Sequence, residues 1–251
     1  GKEIARFHCV YWPAFLMAAG IDLPKSVFAH GWWTVEGEKM SKSLGNVLDP
    51  KALADEFGLD ALRFFLMREV PFGGDSNFIR RSMITRTNVE LANDLGNLCQ
   101  RTLSQVARNL GGVLPERGTL TEDDQAMLAM ATLLPTIMSE QIERKAITDA
   151  LEEVWKVIRA ANSYIDRQAP WALKKTDPER MADVLRVLVD MIRGIATMLQ
   201  PFMPDTMAKM LTQLGVQDDE RTFAALETRL PAGRTLPKPE GLFPRFVEEE
   251  A

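Results

Sequence analysis

Hydrophobic residues recur at helical spacing along most of the chain after residue 49. Asp49-Pro50 predicts a helix start, because aspartate caps free backbone N–H groups and proline suits the first helical position. Gly58 predicts the end of that helix. The segment from Phe78 to Leu110 has the pattern of a long amphipathic helix, and the glycine pair that follows it predicts its end.

The second half of the chain continues this pattern of helix starts and stops. Thr121 and the three acidic residues after it predict another long helix, in which Pro135 is expected to cause a kink or a break. Further helices are expected over residues 146–166, from Asp177-Pro178 to about Gln200, and in a short segment that ends at Gly215. The short connections between these segments predict an antiparallel bundle of about five helices.

The first 48 residues have a different pattern, which is typical of α/β proteins. An apolar helical stretch runs from about Ile4 to Ala19, and strand-like runs follow at Val27–His30 and Trp32–Val35. The predicted fold class is therefore mixed: an incomplete α/β Rossmann-like portion followed by an all-α antiparallel helix bundle.

Composition narrows the class of protein. With 46% hydrophobic residues in 251, the chain has enough apolar side chains for real cores. Cys9 and Cys99 lie far apart and favour neither a disulfide framework nor a zinc site, so a reducing, cytoplasmic location is expected. The longest apolar run, Val10 to Ile21, is too short for a membrane helix, and the chain start lacks the pattern of a secretory signal.

The formal charge of −5 argues against nucleic-acid binding through a globally basic surface, but one segment differs. Between Phe78 and Leu110, five arginines face only two acidic residues; the arginines are Arg80, Arg81, Arg86, Arg101 and Arg108. Charge alone is compatible both with contacts to RNA phosphates and with an ordinary solvated helix face.

Three side chains of the first helical stretch share one face. Ile4, His8 and Trp12 are spaced by four residues, and the two rings suit a pocket for a polarizable group such as a thioether. Spacing alone equally allows ordinary, partly buried core residues.

A lysine- and serine-rich loop follows the strand-like runs. Lys39, Ser41, Lys42 and Ser43 are flanked by glycines, and such lysines can close on an anionic leaving group. The triphosphate of a Mg²⁺-bound nucleotide is the obvious candidate.

Several motifs of the chain resemble those of one enzyme family. "KMSKS" at residues 39–43 resembles the signature loop of class I aminoacyl-tRNA synthetases, and "GKEIARFH" at residues 1–8 resembles their Gly-x-Asp-x-x-x-x-His element. The segments "FHCVYWPAFLMAAG", "AHGWWTVEGEKMSKSLGNVLDP", "GLDALRFFLMREVPFGGD", "NLCQR" and "DRQAPWALKK" are similar to bacterial-type methionyl-tRNA synthetases, from residue 1 to about residue 204.

The resemblance implies roles for residues of the first part. Glu3 takes the position of an aspartate that binds the ATP ribose, and its extra methylene puts the hydrogen-bond geometry in doubt. The implied ATP-binding residues are Gly1, Glu3, His30, Gly31, Trp33 and Lys42; the methionine-binding residues are Ile4, His8 and Trp12; the catalytic residues are Lys39 and Lys42. Trp32 and Trp33 are expected to hold the strand by packing, with direct contact to the base as the alternative.

The helical part resembles the family's anticodon-binding domain. The implied anticodon-binding residues are Asn97, Arg101 and Trp171, a combination that suits edge recognition and base stacking. Without the resemblance, a surface Asn/Arg pair and a core tryptophan would explain them equally well. No motif assigns a role to Arg80, Arg81 or Arg86.

The resemblance also implies an organisation. The expected units are residues 1–48 (the second-half remnant of the Rossmann catalytic domain), 49–77 (a connecting, stem-contact region), 78–227 (the anticodon-binding domain) and 228–251 (a tail that packs back on the body). The His-rich motif and the insertion that often carries zinc are missing, so we expect a C-terminal portion with no zinc or other metal site of its own. It is expected to be inactive in methionine activation without the N-terminal half, supplied in the same enzyme or as a separate chain.

The implied substrates and partners are methionine, ATP with Mg²⁺ and tRNA(Met), with no membrane partner and a monomeric complete enzyme. Three alternatives remain at this point. One is a class I synthetase for valine, isoleucine, leucine or cysteine; another is a non-catalytic RNA-binding module; the third is a helical scaffold without RNA partners.

Overall fold

The computed structural model describes residues 1–41, 43 and 45–247. These residues form a three-stranded sheet and ten α-helices. The strands are β1 (Trp33–Val35), β2 (Glu38–Lys39) and β3 (Ser76–Phe78). The helices are α1 (Trp12–Ala19), α2 (Pro50–Phe57), α3 (Leu59–Arg68), α4 (Arg80–Arg86), α5 (Asn97–Asn109), α6 (Glu122–Glu143), α7 (Ile147–Gln168), α8 (Pro170–Thr176), α9 (Pro178–Leu199) and α10 (Pro204–Gln213).

The sheet has the order β2-β1-β3, with β1 antiparallel to β2 and parallel to β3. Glu36 and Gly37 join β1 to β2 with positive φ angles of 50° and 84°, as a tight two-residue hairpin requires. The expected strand at Val27–His30 is wrong, because this run forms no ladder. The carbonyl of its last residue instead accepts a hydrogen bond from the Lys2 backbone N–H.

The first helical stretch is built from three kinds of helical turn. A 3₁₀ turn at Lys2–Ile4 leads to a π-helical segment at Phe7–Tyr11 and then to α1. The π segment ends two residues before Pro13, which has no N–H to donate to the carbonyl four residues earlier. The apolar side chains of this stretch are open to solvent; Phe15 and Met17 are 70% and 68% exposed.

A small apolar core joins the sheet to the next helices. Its buried residues are Phe57, Leu62, Phe65, Phe78, Met83 and Ile84, and Trp33, Val35 and Phe246 pack against it. Residues 49–77 therefore share a core with β1 and with α4.

The larger core belongs to the helical bundle and is organised around α9. Sixteen of the 22 residues of α9 are buried, and α9 packs against α5, α6, α7, α8 and α10. Two of the buried residues, Arg186 and Arg193, donate hydrogen bonds to backbone carbonyls of the connecting segments. These hydrogen bonds offset part of the free energy that burying the two guanidinium groups costs.

Two features of the bundle differ from the sequence-based prediction. The helix α6, which packs against α7 and α9, continues through Pro135, so a break there, one of the two expected outcomes, is wrong. The short helix α8 separates α7 from α9, although the sequence pattern did not predict a helix there.

The tail crosses from the bundle to the smaller core. The side-chain amide of Asn88 donates to the Phe246 carbonyl at 2.8 Å and accepts from its N–H at 2.9 Å. Gln213 exchanges the same two hydrogen bonds with the backbone of Glu240. The Phe246 ring packs 5.0 Å from that of Phe57, which ties residues 240–246 to α2, α10 and the helical segment after α4.

The ends of three bundle helices meet at the buried carboxylate of Asp124. It accepts hydrogen bonds from the Thr121 N–H, from the Tyr164 hydroxyl and from two nitrogens of Arg180. The Arg180 nitrogens lie 2.5 and 2.7 Å from its oxygens. Although burial opposes the charge, the hydrogen bonds from Arg180 and Tyr164 lower the pKa of Asp124 to about 2.

None of the helices in the described ranges combines the length and the apolar character needed to cross a membrane.

The lowered pKa of Asp124 predicts a defined acid sensitivity. A carboxyl whose pKa falls on folding stabilises the native state above its unfolded pKa, and this stabilisation is lost as the pH falls toward the folded value. We therefore expect the free energy of unfolding to fall steeply between about pH 4 and pH 2. In urea titrations, Asp124→Asn should be less stable at pH 6 and should lose less stability over this acid range. Equal losses in both proteins would contradict the assignment.

Candidate functional site

Two groups of predicted site residues lie in different parts of the structure. The first group surrounds the start of β1, where the chain backbone approaches the loop before β3 very closely. A Cβ atom on Gly31 would lie 2.2 Å from the carbonyl oxygen of Gly74, so this approach requires glycine. Asp75 in the same loop binds the Lys2 ammonium at 2.6 Å and the Trp32 backbone N–H at 3.0 Å. These contacts bring residues 1–4 beside residues 30–33.

Trp32 connects the predicted ribose-binding carboxylate to the lysine loop. Its indole N–H donates to Glu3 at 2.7 Å, and this hydrogen bond holds the pKa of the Glu3 carboxyl below its ordinary value. The Lys2 and Lys39 ammonium groups lie 4.6 and 5.2 Å from the centroid of the indole. Trp33, by contrast, packs against Phe65 in the smaller core.

The lysine loop is closed by a residue that the sequence analysis did not single out. The side chain of Asn46 accepts a hydrogen bond from the Ser41 N–H at 2.8 Å and donates to the Lys39 carbonyl at 3.2 Å. The hydroxyls of Ser41 and Ser43 lie 2.7 Å apart. Lys42, predicted to bind ATP and to act in catalysis, lies outside the described residues.

The predicted methionine-binding residues form an open stripe. The His8 and Trp12 rings meet edge to face with centroids 6.2 Å apart, and Ile4 is 43% exposed. His8 Nδ1 lies 3.1 Å from the Ile4 carbonyl, which can only accept, so Nδ1 carries the proton. Nε2 is then the ring atom that remains for an outside partner.

The second group lies at the junction of α5, α7 and α8. The guanidinium of Arg101 stacks 5.4 Å from the Trp171 ring centroid, and Asp166 binds it at 2.5 Å. Trp171 is 45% exposed, and Asn97 is exposed one helical turn before Arg101. The three predicted residues and Asp166 thus form one surface, which we call the α5–α8 surface.

Arg80 and Arg86, two of the arginines to which no motif assigns a role, contact acidic residues of the chain. Arg80 binds Glu56 and stacks on Phe57, and Arg86 binds Glu69 and Glu90. Among the described residues, no group of three or more His, Cys, Asp or Glu side chains is placed to hold a metal ion.

Two family models match the chain, and the residues of the second group, Asn97 and Arg101 on one side and Asp166 and Trp171 on the other, fall under different models. One, described as "tRNA synthetases class I (M)", matches residues 1–103, and the other, "Anticodon binding domain of methionyl tRNA ligase", matches residues 114–251. The chain is 51% identical to the methionine–tRNA ligase of Mesorhizobium japonicum over 99% of its length and 48% identical to that of Mycobacterium leprae over all of it. It spans 49% and 47% of these two relatives.

Solved structures agree with this assignment. Mycobacterium tuberculosis methionyl-tRNA synthetase in complex with methionyl-adenylate superposes with a TM-score of 0.95 at 46% identity, over 98% of this chain and 49% of that one. The free form of the same enzyme gives a TM-score of 0.92 at 43% identity, over 99% of this chain and 49% of that one. The fold is thus that of the helical anticodon-binding domain and part of the class I catalytic domain, and the chain belongs to the methionyl-tRNA synthetase family.

Proposed function

We propose that the chain supplies the lysine loop, part of the methionine and ATP site, and the anticodon-binding domain of a methionine–tRNA ligase. The complete enzyme would join methionine to ATP as methionyl-adenylate and transfer it to tRNA(Met). The proposed units are those of the sequence analysis, with residues 78–227 as the RNA-binding domain.

The stack of Arg101 on Trp171 is the main support for this proposal. An exposed indole beside an arginine and an asparagine offers a stacking platform together with hydrogen-bond donors for base edges. In the free chain, Arg101 covers one face of this indole and Asp166 holds it there. An anticodon base would stack on Trp171 either on the open face or after Arg101 turns toward the RNA.

In the first group, the charged side chains would bind the nucleotide. Glu3 would accept hydrogen bonds from the ribose hydroxyls, and the Trp32 hydrogen bond orients its carboxylate for this. Lys39 and Lys42 would neutralise the triphosphate, bound with Mg²⁺, as the methionine carboxylate attacks the α-phosphate. Compact ammonium groups on flexible stems suit phosphates that move during the reaction.

The methionine side chain would lie along the stripe of Ile4, His8 and Trp12. The thioether sulfur makes favourable contacts with aromatic rings, and His8 Nε2 is available as a polar partner.

The exposed apolar side chains of residues 4–28 favour contact with further polypeptide. Covering them would remove a large apolar area from water, which stabilises an assembly by about 25 cal/mol per Å². We propose that the N-terminal half of the catalytic domain covers this face, in the same polypeptide or as a separate chain. The complete enzyme would act as a cytoplasmic monomer, and this chain alone would not activate methionine.

Binding of an anticodon hairpin tests the RNA half of the proposal. The chain should bind an RNA hairpin with the methionine anticodon CAU more tightly than one with a single anticodon base changed, by about 1–3 kcal/mol. Trp171→Ala should remove most of this difference, because the stacking platform is lost. Fluorescence titrations at fixed salt measure both affinities.

Trp32→Ala is the matched control for this experiment, because Trp32 is a similarly exposed tryptophan outside the bundle. It should leave the discrimination unchanged. Equal binding of both hairpins by the unaltered chain, with only a steep salt dependence, would show non-specific phosphate contact and would contradict the proposal.

The lysine loop gives a second prediction, for the chain joined to the N-terminal half. Lys42→Ala should slow methionyl-adenylate formation far more than it weakens methionine binding, because the lysine charge acts mainly in the transition state. Lys51→Ala, which removes an exposed lysine of α2, is the control and should change neither. Pyrophosphate exchange and equilibrium dialysis measure the two quantities, and equal losses in both would rule out this role for Lys42.

A further inference from the structure

The Asp124 carboxylate is fully buried, and both of its oxygens are fully used as acceptors. Each oxygen accepts two hydrogen bonds, so that the charge is balanced by Arg180 and the remaining acceptor positions are filled by Thr121 and Tyr164. A buried charged cluster is weak evidence for a role in stability alone, since well-packed apolar residues often stabilise a core as well or better. Its geometry, however, fixes three helix ends relative to one another.

These helix ends are the ones that determine where α8 lies. Tyr164 is in the last turns of α7 and Arg180 is in the first turn of α9, while α8 is joined to each helix by one residue, Ala169 and Asp177. Arg180 also donates to the Gln168 side chain at 2.9 Å, three residues before Trp171. Gln168 in turn donates to Asp123 at 2.8 Å. Both ends of the segment that carries Trp171 are therefore anchored to the first turn of α6.

The junction between α7 and α8 carries backbone strain. Ala169 has a φ of 44°, in the left-handed region that favours glycine and is unfavourable for alanine. A strained residue persists only where its surroundings determine its conformation. The hydrogen bonds of Gln168, directly before Ala169, are the contacts that do so.

From these observations, we propose that Asp124 is a positioning residue for anticodon recognition. It does not touch RNA; it holds α7 and α9 so that Trp171 on α8 faces Arg101 on α5. This inference rests on the proposed RNA-binding function and adds a residue that none of the recognised motifs contains. Tyr164 and Arg180 act in the same way, because their hydrogen bonds connect Asp124 to α7 and α9, the helices on either side of α8.

The test compares two substitutions in the Asp124 cluster with one in another buried charged cluster. Asp124→Asn keeps the shape but places an amide nitrogen against donors, and Tyr164→Phe removes a single hydrogen bond, so that at least the second variant folds. The control is Asp190→Asn: the Asp190 side chain is 11% exposed and binds Arg117 and Arg186, but it lies ten residues along α9 from Arg180, about 15 Å away.

Each variant of the full chain is titrated with the CAU hairpin and the single-base variant of it, at several salt concentrations and well below its melting temperature. The ratio of the two affinities should fall at least about fivefold in Asp124→Asn and about twofold in Tyr164→Phe. It should stay at the wild-type value in Asp190→Asn, whatever its melting temperature. The salt dependence should be unchanged in all three, because no phosphate contact is removed.

The outcomes separate this inference from the proposed function. If the unaltered chain does not discriminate between the two hairpins, the proposed function itself is wrong. If it discriminates and Asp124→Asn keeps the ratio, or if Asp190→Asn lowers the ratio as much as Asp124→Asn, the positioning role is wrong. A loss of ratio confined to the Asp124 cluster supports it.

Discussion

The burial of α9 is the constraint on which the rest of the bundle depends. A helix that is apolar around most of its surface has to be enclosed, and five neighbouring helices enclose this one. The connecting segments before α6 and after α10 are fixed in the same way, since Arg186 and Arg193 reach out from α9 to their carbonyls. The helices around α9 are therefore held in a defined arrangement without help from residues 1–48.

This arrangement brings the side chains of the α5–α8 surface together from three helices. Arg101, Asp166 and Trp171 come from α5, α7 and α8, and their contacts depend on the relative positions of those helices. Residues 1–48 differ from the bundle in how much of their apolar surface is exposed. Their Glu3, Trp32 and Lys39 side chains are also close together, but the helical stretch beside them leaves its apolar side chains in water. The bundle buries most of its apolar side chains. Residues 1–48 instead present an apolar face, which in the proposed complete enzyme is covered by further polypeptide.

Much of the helical fold could be predicted from the sequence, because helix starts and stops have local causes. Thr121, Asp177 and Asp49 each cap the helix that they were expected to begin. The short helix α8 was missed because seven residues show no periodicity, and the strand at Val27–His30 was wrong because β-propensity does not supply a pairing partner.

The candidate site was predictable only where a motif carried it. The grouping of Asn97, Arg101 and Trp171 followed from the resemblance, and the structure places them on one surface. The acidic residues that join distant parts of the chain near the two groups were not predicted. Asp75 lies 73 residues from Lys2, and Asp124 lies 56 residues from Arg180, so no local pattern reveals either pair. Such partners become visible only when the chain is folded.

In the proposed function, a stable bundle presents the anticodon surface independently of the catalytic part. Hydrogen exchange of the chain, with and without the CAU hairpin, measures both properties, since exchange reports local stability along the backbone. We predict that α9 exchanges slowest in both states, that residues 5–19 exchange fastest among the helices, and that the hairpin slows exchange only around residues 97–101 and 166–173. Slowing that is confined to residues 1–48, or absent from α8, would contradict the account.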